Sequence, residues 1–341
     1  MLFPSSPKSV RPLVAAVALG VTVPMLAACG GQTSSSAALP SALQSQNRQG
    51  ASQNGRSADA SGESAKGYSF TTLDDNADPA FNQLLGINSK GVIAGYFGSG
   101  VGASNPNKGY TLAPPYTQSN YTNENYPNSV QTQVTAINNK GYTAGFWVDG
   151  NGNNFGFVEW NGVFTSYADP KKGTFTQFLG INNSGLAVGF YTDSNGNNHG
   201  FEIQQGTTKY VPITPPNSVS VTAAAVNDLG DVVGFATNSS GATVSFLYKN
   251  KTYTEFSYPG SGSTSATGVN KSDEIVGVYT DSAGAMHGFT VTNVLKKAKF
   301  TNIDDPLGVG TTTVNGVNDA GDLVGFYVDS AGNTDGMLAT P

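Results

Sequence analysis

GINNSGLAVGFYTD, residues 180–193, carries the pattern on which the fold of this chain turns. A small or apolar residue leads into Asn182, and Asn-x-x-Gly then reads as a tight turn, since Gly185 is free to take the left-handed backbone such hairpins need. An apolar run interrupted by Gly189 follows, with an aromatic pair and then an aspartate behind it. The same phrase returns as LGINSKGVIAGYF (85–97), AINNKGYTAGFWVD (136–149), AVNDLGDVVGFATN (225–238), GVNKSDEIVGVYTD (268–281) and GVNDAGDLVGFYVD (316–329). Its marker residues Asn88, Asn138, Asn182, Asn227, Asn270 and Asn318 stand 50, 44, 45, 43 and 48 residues apart. Self-similarity at such a period indicates a repeat architecture.

Each unit has a second half. After the aspartate or asparagine comes a Gly-containing turn, as in Asp193-Ser194-Asn195-Gly196-Asn197, and then a Gly-aromatic step such as His199-Gly200-Phe201, His287-Gly288-Phe289 or Phe155-Gly156-Phe157. A further aromatic strand closes the unit, as in Val163 to Tyr167 or Phe300 to Ile303. The unit therefore parses into four strands, A to D, with the asparagine turn between A and B. The strand B glycines (Gly95, Gly145, Gly189, Gly234, Gly277, Gly325) predict close approach of a neighbouring sheet. In the fifth unit Asp273 replaces the turn glycine, and aspartate is among the few residues that tolerate positive φ.

From about Gly67 to Pro341 the unit resembles the bacterial extracellular repeat called HAF, after a His-Ala-Phe step. This chain has Gly where that family has Ala, and it keeps the His in only two of six units, which argues against a catalytic role for it.

Four-stranded units of about 45 residues match propeller blades. The two ends decide for a closed ring. The last unit stops after strand C at Met337-Leu338-Ala339, whereas Phe70-Thr71-Thr72-Leu73-Asp74-Asp75 precedes the first unit and copies Phe300-Thr301-Asn302-Ile303-Asp304-Asp305, a strand D. A spare D at the start and a missing D at the end are what ring closure requires, and closure removes exposed sheet edges. The expected fold is an all-β, six-bladed β-propeller over residues 66–341, closed by an N-terminal strand that completes the last blade; an open β-solenoid is the alternative.

Composition agrees with many short strands and tight turns. Only 12% of the 341 residues are charged, against roughly a quarter in an ordinary domain, while 43 are glycine. Net charge is −6 with no basic stripe, which argues against a nucleic-acid partner. The single cysteine excludes a disulfide within the chain.

That cysteine has another meaning. Lys8 and Arg11 precede an apolar run from Leu13 to Leu26, too short for a membrane span of about 20 residues. Leu26-Ala27-Ala28-Cys29 resembles the lipobox of bacterial lipoprotein signal peptides. The resemblance implies cleavage of residues 1–28, lipid attachment at Cys29, membrane association through that lipid, and outer-membrane sorting in a Gram-negative host. Loss of Lys8 and Arg11 and of no acidic residue leaves the mature chain at −8. Residues 29–65, rich in Ser, Ala, Gln and Gly, read as a tether with a reach of roughly 30–36 Å.

Candidate ligand-binding residues fall in two groups. Asp193, Asp281 and Asp329, with Asp149, start the B–C loops, while Asp74, Asp75, Asp169, Asp304 and Asp305 fall in the D–A loops of the same rim, offset by Lys171 and Lys172. These carboxylates either begin turns or present an acidic rim for cations or for acid–base work on a glycan. The second group is Tyr116, Tyr121 and Tyr126, within the longest repeat interval, where rings beside amides suit sugar or peptide contacts. No catalytic constellation, metal-ligand spacing or cofactor motif stands out. The expected function is a lipid-anchored, surface-exposed binding module for glycan or protein; a glycan-cleaving enzyme using rim carboxylates and a purely structural envelope protein are the alternatives.

Overall fold

The computed structural model describes residues 67–100, 104–168 and 175–341. Cys29 and the two N-terminal segments lie outside the described residues, as do Asp169, Lys171 and Lys172. Among the described residues no helix is long and apolar enough to cross a membrane.

The chain begins with β1 (Ser69–Thr72) and then lays down six four-stranded antiparallel sheets. Blade 1 is β2 (Asn82–Ile87), β3 (Ile93–Phe97), β4 (Lys108–Leu112) and β5 (Tyr121–Asn123). Blade 2 is β6 (Gln131–Ile137), β7 (Thr143–Val148), β8 (Asn154–Trp160) and β9 (Val163–Tyr167). Blade 3 is β10 (Thr176–Ile181), β11 (Leu186–Thr192), β12 (Asn198–Gln204) and β13 (Tyr210–Ile213). Blade 4 is β14 (Ser218–Val226), β15 (Val232–Asn238), β16 (Thr243–Lys249) and β17 (Thr252–Phe256). Blade 5 is β18 (Ser263–Val269), β19 (Ile275–Thr280), β20 (Met286–Thr292) and β21 (Lys299–Ile303). Blade 6 is β22 (Thr313–Val317), β23 (Leu323–Val328) and β24 (Thr334–Thr340), with β1 as its fourth strand. Phe70, Thr71 and Thr72 pair with Ala339, Leu338 and Met337, just as Phe300, Thr301 and Asn302 pair with Val291, Thr290 and Phe289 one blade earlier. The ring closes by β1, as the sequence predicts, and the molecule is a six-bladed β-propeller.

The strand B glycines have a cause different from the expected one. Every strand A carries a bulge, as between Phe178 and Gly180 or Val134 and Ala136. The bulge pushes a strand A carbonyl into the space above strand B. A Cβ on Gly189 would collide with the Gln177 carbonyl oxygen, and one on Gly145 with that of Gln133. The crowding partner is the blade's own first strand, not a neighbouring sheet. The neighbouring blade approaches instead at the strand C glycines: Gly156 lies against the Phe178 ring and Gly200 against Val221.

Most of the core lies between blades. Leu73, Ile93 and Leu112 join blades 6 and 1; Tyr167, Ala187 and Ile203 join blades 2 and 3. Fully buried rings such as Phe157, Phe178, Phe201, Phe246 and Phe289 contribute about 2 kcal/mol each from burial alone.

Candidate functional site

The marker asparagines do two things at once. The Asn182 Oδ1 accepts the N–H groups of Ser184 and Leu186, at 3.0 and 3.0 Å, and so shapes the A–B turn. Its Nδ2 donates to the Asn227 carbonyl oxygen of the next blade at 2.9 Å. The same bond runs from Asn88 to Asn138, Asn138 to Asn182, Asn227 to Asn270, Asn270 to Asn318 and Asn318 to Asn88, at 2.9–3.4 Å. These bonds form a closed belt round the axis. Beside the belt, Ser89, Asn139, Asn183, Asp228, Lys271 and Asp319 rim an open recess of about 80 Å³. Their polar atoms are largely engaged with one another: Asp228 takes both the N–H and the Nδ2 of Asn183, and Asp319 holds Ser89 and Lys271. The recess is small, and its lining follows the repeat.

The opposite rim carries the aspartates of the B–C loops. In each, Oδ1 is taken by the turn: Asp193 accepts from Asn195 N and Asn197 N, Asp281 from Ala283 N and Ala285 N, and Asp329 from Ala331 N and Asn333 N, all at 2.8–3.0 Å. The second oxygens differ. Asp329 Oδ2 takes Asn333 Nδ2 at 3.0 Å, while Asp193 Oδ2 meets His199 Nε2 at 2.9 Å. The bond to His199 holds the Asp193 carboxyl below its ordinary range, and the Ala285 amide does the same for Asp281. Slight burial raises Asp329, but the bonds from Asn333 outweigh it and its carboxyl is also depressed. Carboxylates of this kind are ionised at neutral pH and unsuited to donating a proton to a leaving group.

Tyr116, Tyr121 and Tyr126 are not brought together. Tyr116 lies in the C–D turn and donates to the Gly91 carbonyl at the A–B end of blade 1. Tyr121 begins β5 and packs edge-on against Tyr110, with ring centroids 4.9 Å apart. Tyr126 follows β5 at the other end and stacks flat on Trp147 of blade 2 at 4.2 Å. Each ring is engaged in packing, and β5 runs between the first and the last of them.

A larger recess lies elsewhere, where blade 3 meets blade 4. It measures about 490 Å³, within the usual range for small-molecule sites. Two local departures from the repeat open it. The outer strand β13 contains Pro212, which lacks an N–H and is tolerated because the strand is at an edge. The inner strand β14 is nine residues long and has a second bulge, between Ser218 and Ser220. Bulges re-aim side chains, and Val219 at this one is left 46% exposed on the cavity wall.

The other walls are aromatic and polar. His199 stacks on Tyr191 at 4.9 Å and is oriented by Asp193. Tyr210 packs edge-on against Phe201 at 4.8 Å, and its hydroxyl donates to the Ala168 carbonyl. Asn198 is held by Thr192 and Thr222, and the exposed Lys209 stands at the mouth. Asp193, among the residues singled out from the sequence, thus touches this cavity through His199, whereas Asp281 and Asp329 belong to other blades. Sequence reading passed over Asn198, Lys209, Tyr210 and Val219; the run Val211-Pro212-Ile213-Thr214-Pro215-Pro216, unlike any other strand D, was the available signal.

The fold places the chain among six-bladed β-propellers. No protein-family model and no curated protein sequence matches it. Among solved structures it is similar to a putative TolB from Agrobacterium tumefaciens, with a TM-score of 0.55 and 7% identity over 80% of this chain and 98% of that one. It is also similar to AofleA from Arthrobotrys oligospora, with a TM-score of 0.50 and 11% identity over 81% and 88%. A fungal lectin from Aleuria aurantia, a six-bladed propeller with fucose recognition, gives a TM-score of 0.49 and 10% identity over 76% and 93%. At such identities these likenesses concern the fold alone.

Proposed function

We propose that the protein is a lipid-anchored propeller that binds a carbohydrate in the cavity between blades 3 and 4. The observation that carries this reading is the cavity itself. It departs from the repeat, has mono- to disaccharide dimensions, and combines ring faces with amide, imidazole and ammonium groups. Aromatic faces suit the apolar side of a pyranose, while Asn198, His199 and Lys209 suit its hydroxyls. The anchor rests on Leu26-Ala27-Ala28-Cys29, and residues 29–65 would hold the propeller clear of the membrane.

A glycan array probed with the full chain tests the ligand. Retention of a defined glycan set, lost in His199→Ala and in Val219→Trp, is the expected result. Retention unchanged in both variants would remove this cavity from the proposal, and retention of no glycan would end the carbohydrate reading. The anchor is tested separately: Cys29→Ser should move the chain from the detergent phase to the aqueous phase, and an unchanged partition would rule lipidation out.

A further inference from the structure

Each seam between blades is filled by three side chains at equivalent positions: one on strand D of the first blade and a facing pair on strands B and C of the next. In five seams all three are apolar. They are Leu73, Ile93 and Leu112; Tyr167, Ala187 and Ile203; Ile213, Val232 and Tyr248; Phe256, Ile275 and Val291; and Ile303, Leu323 and Ala339. The equivalence is fixed by register. Glu124 bonds to Gly109 as Leu73 bonds to Gly336, and Thr143 pairs with Glu159 as Ile93 pairs with Leu112. The seam between blades 1 and 2 therefore holds Glu124, Thr143 and Glu159 where the other five hold aliphatic and aromatic side chains.

The three side chains are in contact. The Thr143 hydroxyl donates to Glu124 Oε1 and lies 3.4 Å from Glu159 Oε2. The other Glu159 oxygen accepts the Gly162 N–H. Thr143 and Glu159 are 1% and 8% exposed, and Glu124 is partly buried. One hydroxyl hydrogen stands between two carboxylates. A single additional proton completes the chain: a protonated Glu124 donates to Thr143, which donates to Glu159. Without it, two negative charges face each other in an apolar seam, a costly arrangement. Among the described residues, Glu159 is the charged group that acts on Glu124. Burial first, and then that charge, push the Glu124 carboxyl up to about 7, against the bond from Thr143.

We propose that Glu124, Thr143 and Glu159 form a proton-operated lock on the seam between blades 1 and 2, closed while the chain holds its extra proton and loosened when that proton leaves. The element that gives way is β5, whose contact with β4 extends over only three paired residues. This proposal stands independently of any ligand in the cavity between blades 3 and 4.

The protein carries its own reporter. Both tryptophans are in blade 2, and Trp147 stacks on Tyr126, two residues beyond Glu124. In the full chain carrying Trp160→Phe, Trp147 fluorescence is followed from pH 5 to 9, with Glu124→Gln and Glu124→Leu prepared in the same background. The expected result is a reversible transition with a midpoint near pH 7 that is absent from both variants. Glutamine reproduces the protonated carboxyl, and leucine restores the apolar seam. A flat titration in the parent, or the same transition in Glu124→Gln, overturns the lock. Millimolar calcium chloride is the last arm: unchanged fluorescence at pH 8 supports a proton as the closing agent, and closure by calcium overturns it in favour of a cation site.

Discussion

Asp335 occupies in blade 6 the place that His287 occupies in blade 5, directly opposite Tyr327 as His287 is opposite Tyr279. In blade 5 the imidazole bridges two carboxylates, with Nδ1 2.8 Å from Asp304 and Nε2 3.6 Å from Asp281. In blade 6 the corresponding groups are Asp74, Asp335 and Asp329, all acidic. Burial first, and then Asp335 and Asp329, push the Asp74 carboxyl up to about 6, despite the bond it accepts from the Gly336 N–H at 2.9 Å. The closing strand is thus tied down beside like charges.

The sign of the resulting pH dependence follows from proton counts. Between the ordinary carboxyl value of 3.8 and about 6, folded Asp74 holds a proton that the unfolded chain has released. Stability therefore falls as pH rises through that window and levels off above it. Asp335→His should rebuild the blade 5 arrangement and raise stability at pH 7 by about 1 kcal/mol after solvent screening, or about 2–4 °C in melting temperature. Thermal unfolding from pH 4 to 8 checks this; a variant no more stable than the parent at pH 7 would refute it.

Removal of one belt asparagine should be felt beyond its own turn. Asn182→Ala deprives two turn N–H groups of their partner and leaves the Asn227 carbonyl with the Gly230 N–H alone. Each unmet N–H costs about 1–3 kcal/mol, so a total of roughly 2–6 kcal/mol is expected from denaturant titration. Asn182→Asp keeps the turn acceptor but sets an anion against the Asn227 carbonyl, and it should be rescued only at low pH. A loss below about 1 kcal/mol in Asn182→Ala would mean that the belt is dispensable.

The fold was legible because its two determinants are written in short, repeated strings. Asn-x-x-Gly marks five of the six A–B turns, with Asp273 in place of the glycine in the other, and the copy of Phe300 to Asp305 at Phe70 to Asp75 supplies the closing strand. The aspartate turns of the rim were legible for the same local reason. The crowding at Gly189 was assigned to the wrong partner, because a bulge at Leu179 is one inserted residue with no residue type of its own. Tyr116, Tyr121 and Tyr126 looked like a cluster because they are close in sequence, whereas β5 sends the first and last to opposite ends of a blade. Glu124 was available to a stricter alignment of the fourth strands, where its counterparts are Leu73, Tyr167, Ile213, Phe256 and Ile303. The cavity depends on how far β14 outruns β13, which periodicity does not encode.

Two glycines separate crowding from backbone strain. Gly189→Ala places a methyl group on the Gln177 carbonyl of the bulge, where backbone must move, and should cost about 3 kcal/mol or more. Gly196 sits in an open B–C turn at φ +83 with nothing within 4 Å, so alanine there meets only backbone strain, about 1 kcal/mol. Urea midpoints for the two variants give the comparison. Equal losses would place the cost of Gly189→Ala in chain flexibility instead of the bulge.

Closure by β1 has a consequence for solubility as well as stability. Without Ser69–Thr72, the β24 strand from Thr334 to Thr340 presents unpaired N–H and C=O groups along an otherwise finished sheet. Such an edge invites a strand from another chain. Leu73, which bonds to Gly336 and fills the seam with Ile93 and Leu112, would also lose its support. A chain beginning at Asp75 should therefore elute as dimers and larger species, where the parent elutes as a smaller one, and adding a peptide of residues 67–75 should reverse this. The peptide restores both the ladder and the apolar contact of Leu73. A truncated chain with the parent's elution and melting temperature would show that three strands of blade 6 suffice.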